Sequence, residues 1–271
     1  MFAPRYTANV QELIHNLPAG ARVLDLGSGA GSFDPGQAFV VRLDCERPEN
    51  HRGGEFVLAD AAQLPLADAS FHAVICNHTL EHMDRLDAVL GEIARVVRRD
   101  GWLYVAVPDA STFSDRLYRW IYHGGGHINP FRSSGELAHR IASATGLAFV
   151  ATRVLYSSFG FLERYHFKPR PPRRLWLVGG GFPRGIAFLS YFARVLDRLL
   201  STRASVYGWA LYFGSVPDSL ETSEWRNVCV LCGAGNSEAH IKELGRLGRK
   251  ILFLQPYTCP SCGAWNLLTA D

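Results

Sequence analysis

Apolar residues follow two different spacings along the first half of the chain. Short unbroken apolar runs are typical of strands buried in a parallel sheet, whereas an apolar residue at every third or fourth position is typical of a helix packed on one. The runs predict five strands, at residues 23–26, 38–44, 56–59, 73–76 and 102–108. The helical spacing predicts helices at residues 7–17, 86–97 and 111–122, the second of them ending at Gly101 as its C′ residue. This alternation predicts an α/β fold with a parallel sheet.

The composition supports a sizeable core. Hydrophobic residues make up 48% of the 271 positions and aromatic residues 12%, which excludes wholesale disorder. The net charge of +3 permits an anionic partner without favouring nucleic acid. No uncharged apolar stretch predicts a membrane-spanning helix, and the first residues lack the pattern of a signal peptide. We therefore expect a cytoplasmic protein, with peripheral membrane contact left open.

The first predicted strand runs into a turn with three glycines at alternate positions. Glycine adopts positive φ and lets a ligand approach closely, as in the nucleotide-binding turns of open α/β sheets, where a helix follows. Ser32 stands where a dinucleotide motif needs its third glycine, and an acid two residues before the first glycine suits a cationic ligand rather than a pyrophosphate. The candidate ligand-binding residues of this turn are Asp25, Gly27, Ser28, Gly29 and Gly31.

Two further acids follow predicted strands. Asp44 ends the second strand, 17 positions after Gly27, where α/β nucleotide folds place an acid against the ribose hydroxyls. Asp60 follows the third strand and opens a stretch, residues 60–72, that is similar to D-A-x-x-L-P-F-x-D-x-S-F-D. Leu66 and His72 replace a Phe and an Asp of that pattern.

With the Leu-Glu-His triplet at residues 80–82 and the Arg-Arg-Asp-Gly at 98–101, these motifs cover residues 20–110 in order. They resemble class I S-adenosylmethionine (SAM) dependent methyltransferases, in particular the ubiquinone/menaquinone-biosynthesis-like superfamily. The resemblance implies a Rossmann-like seven-stranded sheet whose last strand is antiparallel.

The same resemblance implies roles for the candidate residues. Asp25 and the turn at 27–31 would hold the methionine end of SAM, and Asp44 would hold the ribose. The adenine would contact Asp60 and Ala61, and the reacting methyl group would lie beside Asn77 and His78.

The second half of the chain fits the end of that fold with one long insertion. A helix at 133–145 and strands at 148–156 and 205–213 match the family's last helix and last two strands. The insertion between these strands, residues 157–204, holds a basic stretch at 164–174 and a predicted amphipathic helix at 185–200. We interpret it as a substrate cap, with core packing of the helix favoured over membrane contact.

Methyl transfer from SAM is an in-line displacement, and a hydroxyl or amine acceptor also needs a base to take its proton. His127 is the candidate base, because it follows a glycine-rich loop near the expected SAM site, in a His-x-Asn-x-Phe stretch that similar family members carry. The alternative is that His127 only tethers the loop, and His123 is a weaker candidate. Glu81 and His82 are adjacent and point about 100° apart on a helix, so we interpret them as packing groups rather than a metal pair.

Four of the six cysteines form two Cys-x-x-Cys-Gly pairs, Cys229/Cys232 and Cys259/Cys262. Two such knuckles make a tetrahedral four-cysteine site, and they resemble a zinc ribbon. We expect a structural zinc, framed by strands at 249–254 and 266–269. Cys45 and Cys76 are expected to be buried residues without a special role.

These observations predict a methyltransferase domain at residues 1–216, a linker at 217–223 and a zinc-ribbon-like module at 224–271. The predicted reaction moves a methyl group from SAM to an oxygen, or a nitrogen, of a small molecule, glycan or lipid-linked intermediate. One alternative is an RNA methyltransferase that uses the ribbon and the 164–174 stretch as a clamp. The other is a non-catalytic SAM-binding scaffold, and the oligomeric state is left open.

Overall fold

The computed structural model describes residues 8–31, 33–50, 53–162, 183–216 and 224–269. Seven strands form one sheet in the order β3-β2-β1-β4-β5-β7-β6. Their bounds are β1 (Arg22–Leu26), β2 (Phe39–Asp44), β3 (Glu55–Leu58), β4 (Phe71–Asn77), β5 (Val97–Pro108), β6 (Phe149–Tyr156) and β7 (Val206–Gly214). All neighbours from β3 to β5 pair in parallel, and β7 pairs antiparallel with both β5 and β6. This is the predicted Rossmann-like methyltransferase sheet, and the predicted fold class is confirmed.

Helices and aromatic side chains cover the two faces of the sheet. The first face packs against α2 (Leu86–Val96) and α4 (Ser134–Thr145), with Leu90, Ile93 and Ile141 among its fully buried residues. The second face packs against α1 (Ala8–His15) and carries the large rings of Tyr104 and Tyr212. The core therefore lies in two layers, one on each side of the parallel strands.

The helix that usually follows such a glycine turn is absent from the described residues between β1 and β2. Residues 27–31 and 33–38 form turns, in which Asp34 Oδ1 accepts a hydrogen bond from Gly36 N at 3.0 Å. Asp34-Pro35-Gly36 is a turn-forming sequence, because proline cannot continue a helix and Gly36 takes a positive φ of 56°. The chain differs here from the usual nucleotide-binding arrangement, and Phe33 fills the space next to α1.

One prediction was wrong at the start of β5. The helix α2 ends at Val96, and residues 97–101 belong to the strand, with Val97 paired to Phe71 of β4. Gly101 lies inside the strand rather than at a helix end. It packs closely there, and a Cβ would stand 2.9 Å from the carbonyl oxygen of His72. The β-branched pair at 96–97 and this strand pairing override the apparent C′ signal.

The inserted segment after β6 contributes a long helix, α5 (Pro183–Leu200). Its first turns pack near the end of α3 (Phe113–Ile121). Ile186 and Ala187 of α5 share a buried cluster with Ile121 and Phe161. The outer face of the helix is exposed to solvent. The exposed fraction of Phe192 is 52% and that of Leu199 is 74%. The basic stretch at 164–174 and the linker at 217–223 lie outside the described residues.

The C-terminal segment carries α6 (Glu238–Glu243) and a two-stranded sheet of β8 (Gln255–Thr258) and β9 (Trp265–Leu268). The strand predicted at 249–254 was misplaced, because Ile251 and Leu254 instead close a tight turn with a mutual backbone bridge. The segment packs on α5, where Phe188 contacts Trp265 with ring centroids 5.9 Å apart. Arg194 Nη2 also donates to the Val228 carbonyl at 3.2 Å.

Candidate functional site

The glycine turn at the carboxyl end of β1 has the positive φ angles that its sequence predicts. Gly27, Gly29 and Gly31 take φ values of 64°, 49° and 91°. A Cβ on Gly27 would collide with Thr79, and one on Gly31 would stand 2.6 Å from Arg42 Cζ. A Cβ on Gly29 would meet nothing within 4 Å. The backbone at Gly29 therefore faces open space, where a ligand can approach it.

Asp44 joins this turn from the end of β2. Its Oδ2 accepts a hydrogen bond from Gly29 N at 2.8 Å, and its Oδ1 accepts one from Glu46 N at 3.2 Å. Ser28 N donates to the Leu43 carbonyl at 3.0 Å, which ties the turn to the same strand. Asp44 and the turn thus lie together at the point where the strand order reverses between β1 and β4.

Asp25 does not lie at this open edge. Its side chain is 1% exposed and pairs with the fully buried guanidinium of Arg42 on β2. Arg42 also donates from Nε to the Gly53 carbonyl at 2.8 Å and from Nη2 to the Phe33 carbonyl at 2.7 Å. Burial raises the pKa of Asp25 to about 7, although the adjacent Arg42 opposes this shift. These contacts favour a role for Asp25 in holding the turn, and the predicted contact with a cationic ligand stays a prediction.

The candidates for the adenine end and the methyl end lie on either side of the turn. Asp60 is exposed, pairs with Arg85, and accepts a hydrogen bond at Oδ1 from Ala62 N at 2.8 Å, whereas Ala61 is buried. Asn77 ends β4, and His78 follows it with a φ of 58°. A positive φ is unusual for a residue with a side chain, and such strain is concentrated at ligand sites.

A short 3₁₀ turn, Leu80–His82, follows β4 at the same edge of the sheet. Thr79 Oγ1 donates to the Leu26 carbonyl at 3.0 Å and so fixes the beginning of this turn against β1. Glu81 is fully buried, and His82 Nδ1 lies 3.0 Å from the Gly126 carbonyl. The prediction that Glu81 and His82 are only packing groups did not foresee that the loop at 123–131 would reach them.

Asn129 holds that loop over the 3₁₀ turn. Its Nδ2 donates to the carbonyls of Leu80 at 2.9 Å and Met83 at 2.6 Å. The backbone N–H groups of Ile128 and Asn129 both donate to the Glu81 carbonyl, at 2.9 and 3.0 Å. This arrangement positions His127 beside His82, with ring centroids 5.0 Å apart. His123 is exposed and stays outside the group.

His127 is fixed by α3. Its Nδ1 lies 3.2 Å from Asp115 Oδ1, and Asp115 Oδ2 in turn lies 2.7 Å from Arg119 Nε. The ring of Tyr118 stacks on the imidazole at a centroid distance of 5.2 Å. Because a carboxylate only accepts hydrogen bonds, this neighbour favours the tautomer of neutral His127 that carries its proton on Nδ1 and keeps a lone pair on Nε2.

Burial also changes the proton affinities of the residues around the 3₁₀ turn. It raises the pKa of Glu81 to about 8 and lowers the pKa of His78 to about 4. The pKa of His82 is lowered as well, mainly by burial. At neutral pH both histidines are therefore uncharged, and neither supplies a cation for Glu81, although Nδ1 of His78 lies 3.8 Å from Glu81 Oε1.

The four C-terminal cysteines converge in a separate centre. Cys229 Sγ lies 3.6 Å from Cys262 Sγ, and Cys232 Sγ lies 3.7 Å from Cys259 Sγ. Zinc–sulfur bonds of about 2.3 Å in a tetrahedron put the sulfurs about 3.8 Å apart, so the spacing fits one ion. The two knuckles are alike, because Gly233 and Gly263 have φ values of 74° and 73° and each donates its N–H to the first cysteine's carbonyl at 2.9 Å.

Comparison with known proteins supports the interpretation of the sheet. Residues 24–105 match the family model described as a methyltransferase domain. The match runs from β1 into β5 and contains the turn, Asp44, Asp60 and the 3₁₀ turn. Together, the sheet order and this match indicate a methyltransferase domain that includes residues 24–105.

The curated relatives share only part of their length with this chain. A malonyl-[acyl-carrier protein] O-methyltransferase of Methylococcus capsulatus is 31% identical over 134 residues, which is 43% of this chain and 48% of that protein. A fatty-acid O-methyltransferase of Mycolicibacterium smegmatis is 35% identical over 97 residues, 31% of this chain and 35% of that protein. The chain thus spans less than half the length of these two relatives.

Solved structures show more distant likeness. The YcgJ protein of Bacillus subtilis is 20% identical with a TM-score of 0.46, and the comparison covers 73% of this chain and 92% of that one. A 1,6-didemethyltoxoflavin-N1-methyltransferase of Burkholderia thailandensis is 16% identical with a TM-score of 0.45, covering 78% and 77%. At these TM-scores neither likeness bears on function.

Reasoning from the sequence missed the roles of three residues near this edge. Asp115 contacts a residue 12 positions away and Arg42 contacts one 17 positions away, and no local sequence pattern indicates either contact. Glu81 was noticed but interpreted as a packing group. Its only sequence signal was that a carboxylate stands between two apolar segments where burial is expected.

Proposed function

We propose that this chain transfers the methyl group of SAM to an oxygen of a small-molecule, glycan or lipid-linked acceptor, at the carboxyl edge of β1, β2, β4 and β5. The observation that carries the proposal is the open backbone of Gly29, tied to Asp44 at the reversal of strand order. Ligands of open α/β sheets bind at this point.

The proposed cofactor site follows the residues of the edge. Gly27, Ser28, Gly29 and Gly31 would carry the methionine end, with Asp25 supporting them through Arg42. Asp44 would accept hydrogen bonds from the ribose hydroxyls with the lone pairs that Gly29 N leaves free. Asp60 and Ala61 would contact the adenine, and Asn77 and His78 would lie beside the methyl group.

A lipid-linked acceptor is the favoured class. The relatives named above act, by their names, on a malonyl group carried by an acyl-carrier protein and on fatty acids. The surface of this chain also exposes apolar residues on α5 and at a neighbouring turn, where Leu252 is 85% and Phe253 64% exposed. Tyr191 Oη of α5 donates to the Phe253 carbonyl at 3.2 Å, which joins the two regions.

His127 is the proposed base. In the proposed reaction the acceptor oxygen forms a bond to the methyl carbon as the carbon–sulfur bond breaks, with S-adenosylhomocysteine as the leaving product. A hydroxyl acceptor passes its proton to Nε2 of His127, and Asp115 stabilises the imidazolium that results. A carboxylate acceptor needs no base, so replacement of His127 would then leave turnover intact.

The cofactor site is tested by calorimetric titration with SAM and S-adenosylhomocysteine. Gly29→Ala is expected to weaken binding strongly, because its methyl group would occupy the space of the ligand. Gly20→Ala is the matched control, since Gly20 also has a positive φ, of 76°, with nothing within 4 Å, and lies at the opposite end of β1. Equal affinity of the two variants would contradict the proposed site.

Asp44→Ala tests the ribose contact in the same titration. The expected result is loss of most of the affinity, whereas Asp34→Ala, which removes another carboxylate that caps a turn, should bind SAM normally. Binding of SAM without turnover of any acceptor would favour the non-catalytic scaffold. RNA binding with a steep salt dependence would favour the RNA methyltransferase, whose clamp at 164–174 lies outside the described residues.

We also propose that Cys229, Cys232, Cys259 and Cys262 hold a structural zinc ion in a ribbon-like module at 224–271, joined to the 1–216 domain by the 217–223 linker. The sulfur–sulfur spacing and the paired knuckles support this assignment. Elemental analysis of protein made in zinc-replete medium should find at least one zinc per chain. Its absence would exclude the assignment.

A further inference from the structure

The side chains of Glu81, His82 and His127 form a cluster where the 123–131 loop meets the 3₁₀ turn after β4. One ligand atom from each of them lies within 4.8 Å of the others. Imidazole nitrogen and carboxylate oxygen are ligands of divalent transition metals, and these distances are short enough for one ion to be reached by small side-chain rotations.

Both imidazoles already have the orientation that metal ligands require. Nδ1 of His82 lies 3.0 Å from a backbone carbonyl, and Nδ1 of His127 lies 3.2 Å from the carboxylate of Asp115. Both oxygen groups can only accept a hydrogen bond, so they favour the tautomers in which the Nδ1 atoms carry the protons and the Nε2 atoms keep lone pairs. Metal-bound histidines in proteins are held in the same way, with the second nitrogen bonded to a carbonyl or a carboxylate.

Glu81 supplies the second and independent observation. Its side chain is fully buried, and among the described residues neither Oε1 nor Oε2 accepts a hydrogen bond from another side chain or backbone group. A buried carboxyl group without a hydrogen-bond partner is costly, and a bound cation would stabilise its ionised form. Nε2 of His82 lies 4.0 Å from Oε1, so the unsatisfied oxygen belongs to the cluster.

The geometry points to a divalent metal site formed by Glu81, His82 and His127, separate from the cysteine centre. Two imidazoles and one carboxylate are borderline ligands that suit zinc or cobalt(II), and three protein ligands leave at least one position open.

If the proposed methyl transfer is right, the open position would hold the acceptor oxygen. This refines the role of His127, because the lone pair that would take the proton is then given to the ion. The ion lowers the pKa of a bound hydroxyl, and the proton leaves to water.

The site is tested by adding cobalt(II) chloride to protein whose cysteine centre is already filled with zinc. Uptake of a further equivalent is expected, with the weak visible absorption of nitrogen and oxygen ligands and without the intense near-ultraviolet band of thiolate ligands. Glu81→Gln and His82→Ala should abolish this uptake. His123→Ala, which removes an exposed histidine of the same loop, should bind cobalt like the wild type.

Asp115→Asn provides a second variant that leaves all three ligands in place. Loss of the carboxylate behind a metal-bound histidine typically weakens metal affinity about 10- to 100-fold, and we expect a shift in this range. Thermal unfolding of each variant establishes that it is folded. No uptake beyond the cysteine centre by the wild type, or unchanged uptake by Glu81→Gln, would overturn the site.

The same samples separate this inference from the proposed function. Protein that binds SAM but takes up no further cobalt retains the methyltransferase and loses the metal site. Protein that takes up cobalt at the cluster but does not bind SAM retains the metal site and loses the proposed function.

Discussion

The cysteine centre and the Glu81–His82–His127 cluster bring metal-ligand side chains together in two different ways. Each half of the cysteine centre is a local repeat, Cys-x-x-Cys-Gly-Ala, whose hydrogen bonds lie within six residues. The cluster instead joins a turn after β4 to a loop much later in the chain. His82 and His127 are 45 positions apart. A local repeat can be recognised in a sequence, whereas a cluster made by tertiary folding is visible only once the sheet has placed both segments.

Removal of zinc should produce the largest effect, because it acts on the local centre. Binding of a structural zinc contributes on the order of 10 kcal/mol to the fold of a small module. A chelator should therefore unfold residues 224–269 and also loosen α5, whose Phe188 and Arg194 rest on that segment. Hydrogen exchange before and after chelation measures both effects.

Cys259→Ser should reproduce the loss of protection. The control is Cys45→Ser, because Cys45 lies outside the centre and is exposed, so the expectation that it is buried was wrong. Full protection of residues 224–269 in metal-free protein would mean that the module folds without its ion.

The same contrast between local and distant contacts explains what the sequence could predict. The five strands of the first half, the glycine turn and the cysteine knuckles follow from short apolar runs, positive-φ glycines and repeated spacings, whereas the seven-stranded sheet was implied by the family resemblance. The turns that replace the usual helix after Gly31 are also a local feature, because they contain the turn-forming Asp34-Pro35-Gly36. The strand at 97–101 was missed since its pairing with Phe71 decides its conformation. Neither Arg42 nor Asp115 could be assigned, because their partners become neighbours only in the folded sheet.

Arg42→Met tests a distant contact that supports a local motif. The substitution leaves the buried carboxylate of Asp25 without its cation and removes two hydrogen bonds to carbonyls. Breaking a buried ion pair costs about 3–5 kcal/mol, and we expect a loss of this size in urea-induced unfolding.

Arg22→Met is the control, because Arg22 is exposed at the beginning of β1. Adding Asp25→Asn to Arg42→Met should restore part of the stability, since the second change removes the unpaired charge. A loss below 1 kcal/mol for Arg42→Met would show that the pair is not needed to hold the turn.

Asn129→Asp tests the contact that brings the loop to the 3₁₀ turn. The change keeps the size of the side chain but removes the amide that donates to the carbonyls of Leu80 and Met83. Two hydrogen bonds contribute about 1–3 kcal/mol, so we expect a loss in this range together with weaker cobalt uptake.

Asn50→Asp makes the same chemical change at an exposed loop position and should alter neither quantity. If Asn129→Asp loses stability but retains full cobalt uptake, the loop reaches the cluster without this amide.

The smallest change in stability is expected when either of two arginines is replaced. One contacts residues far away in the sequence, and the other contacts only a near neighbour. Arg95 donates to the carbonyls of Leu64 at 3.0 Å and Leu66 at 2.7 Å and pairs with both Glu92 and Asp68, whereas Arg98 pairs only with Asp100, two residues away, among the described contacts. Arg95→Ala should cost about 1–2 kcal/mol of unfolding free energy, whereas Arg98→Ala should leave the unfolding free energy almost unchanged, because an exposed ion pair contributes little.

The pH dependence provides a further check on that pair of variants. Hydrogen bonds from Arg95 lower the pKa of Glu92, so the folded protein binds the proton less tightly than the unfolded chain does. The resulting stabilisation is present above the ordinary pKa of glutamate and is lost as the pH falls through the lowered value. The stability difference between wild type and Arg95→Ala should therefore shrink in acid, measured by urea unfolding from neutral pH downward. A difference that stays constant over this range would exclude the pair with Glu92 as its source, and the distant contacts of Arg95 would then outweigh this local ion pair.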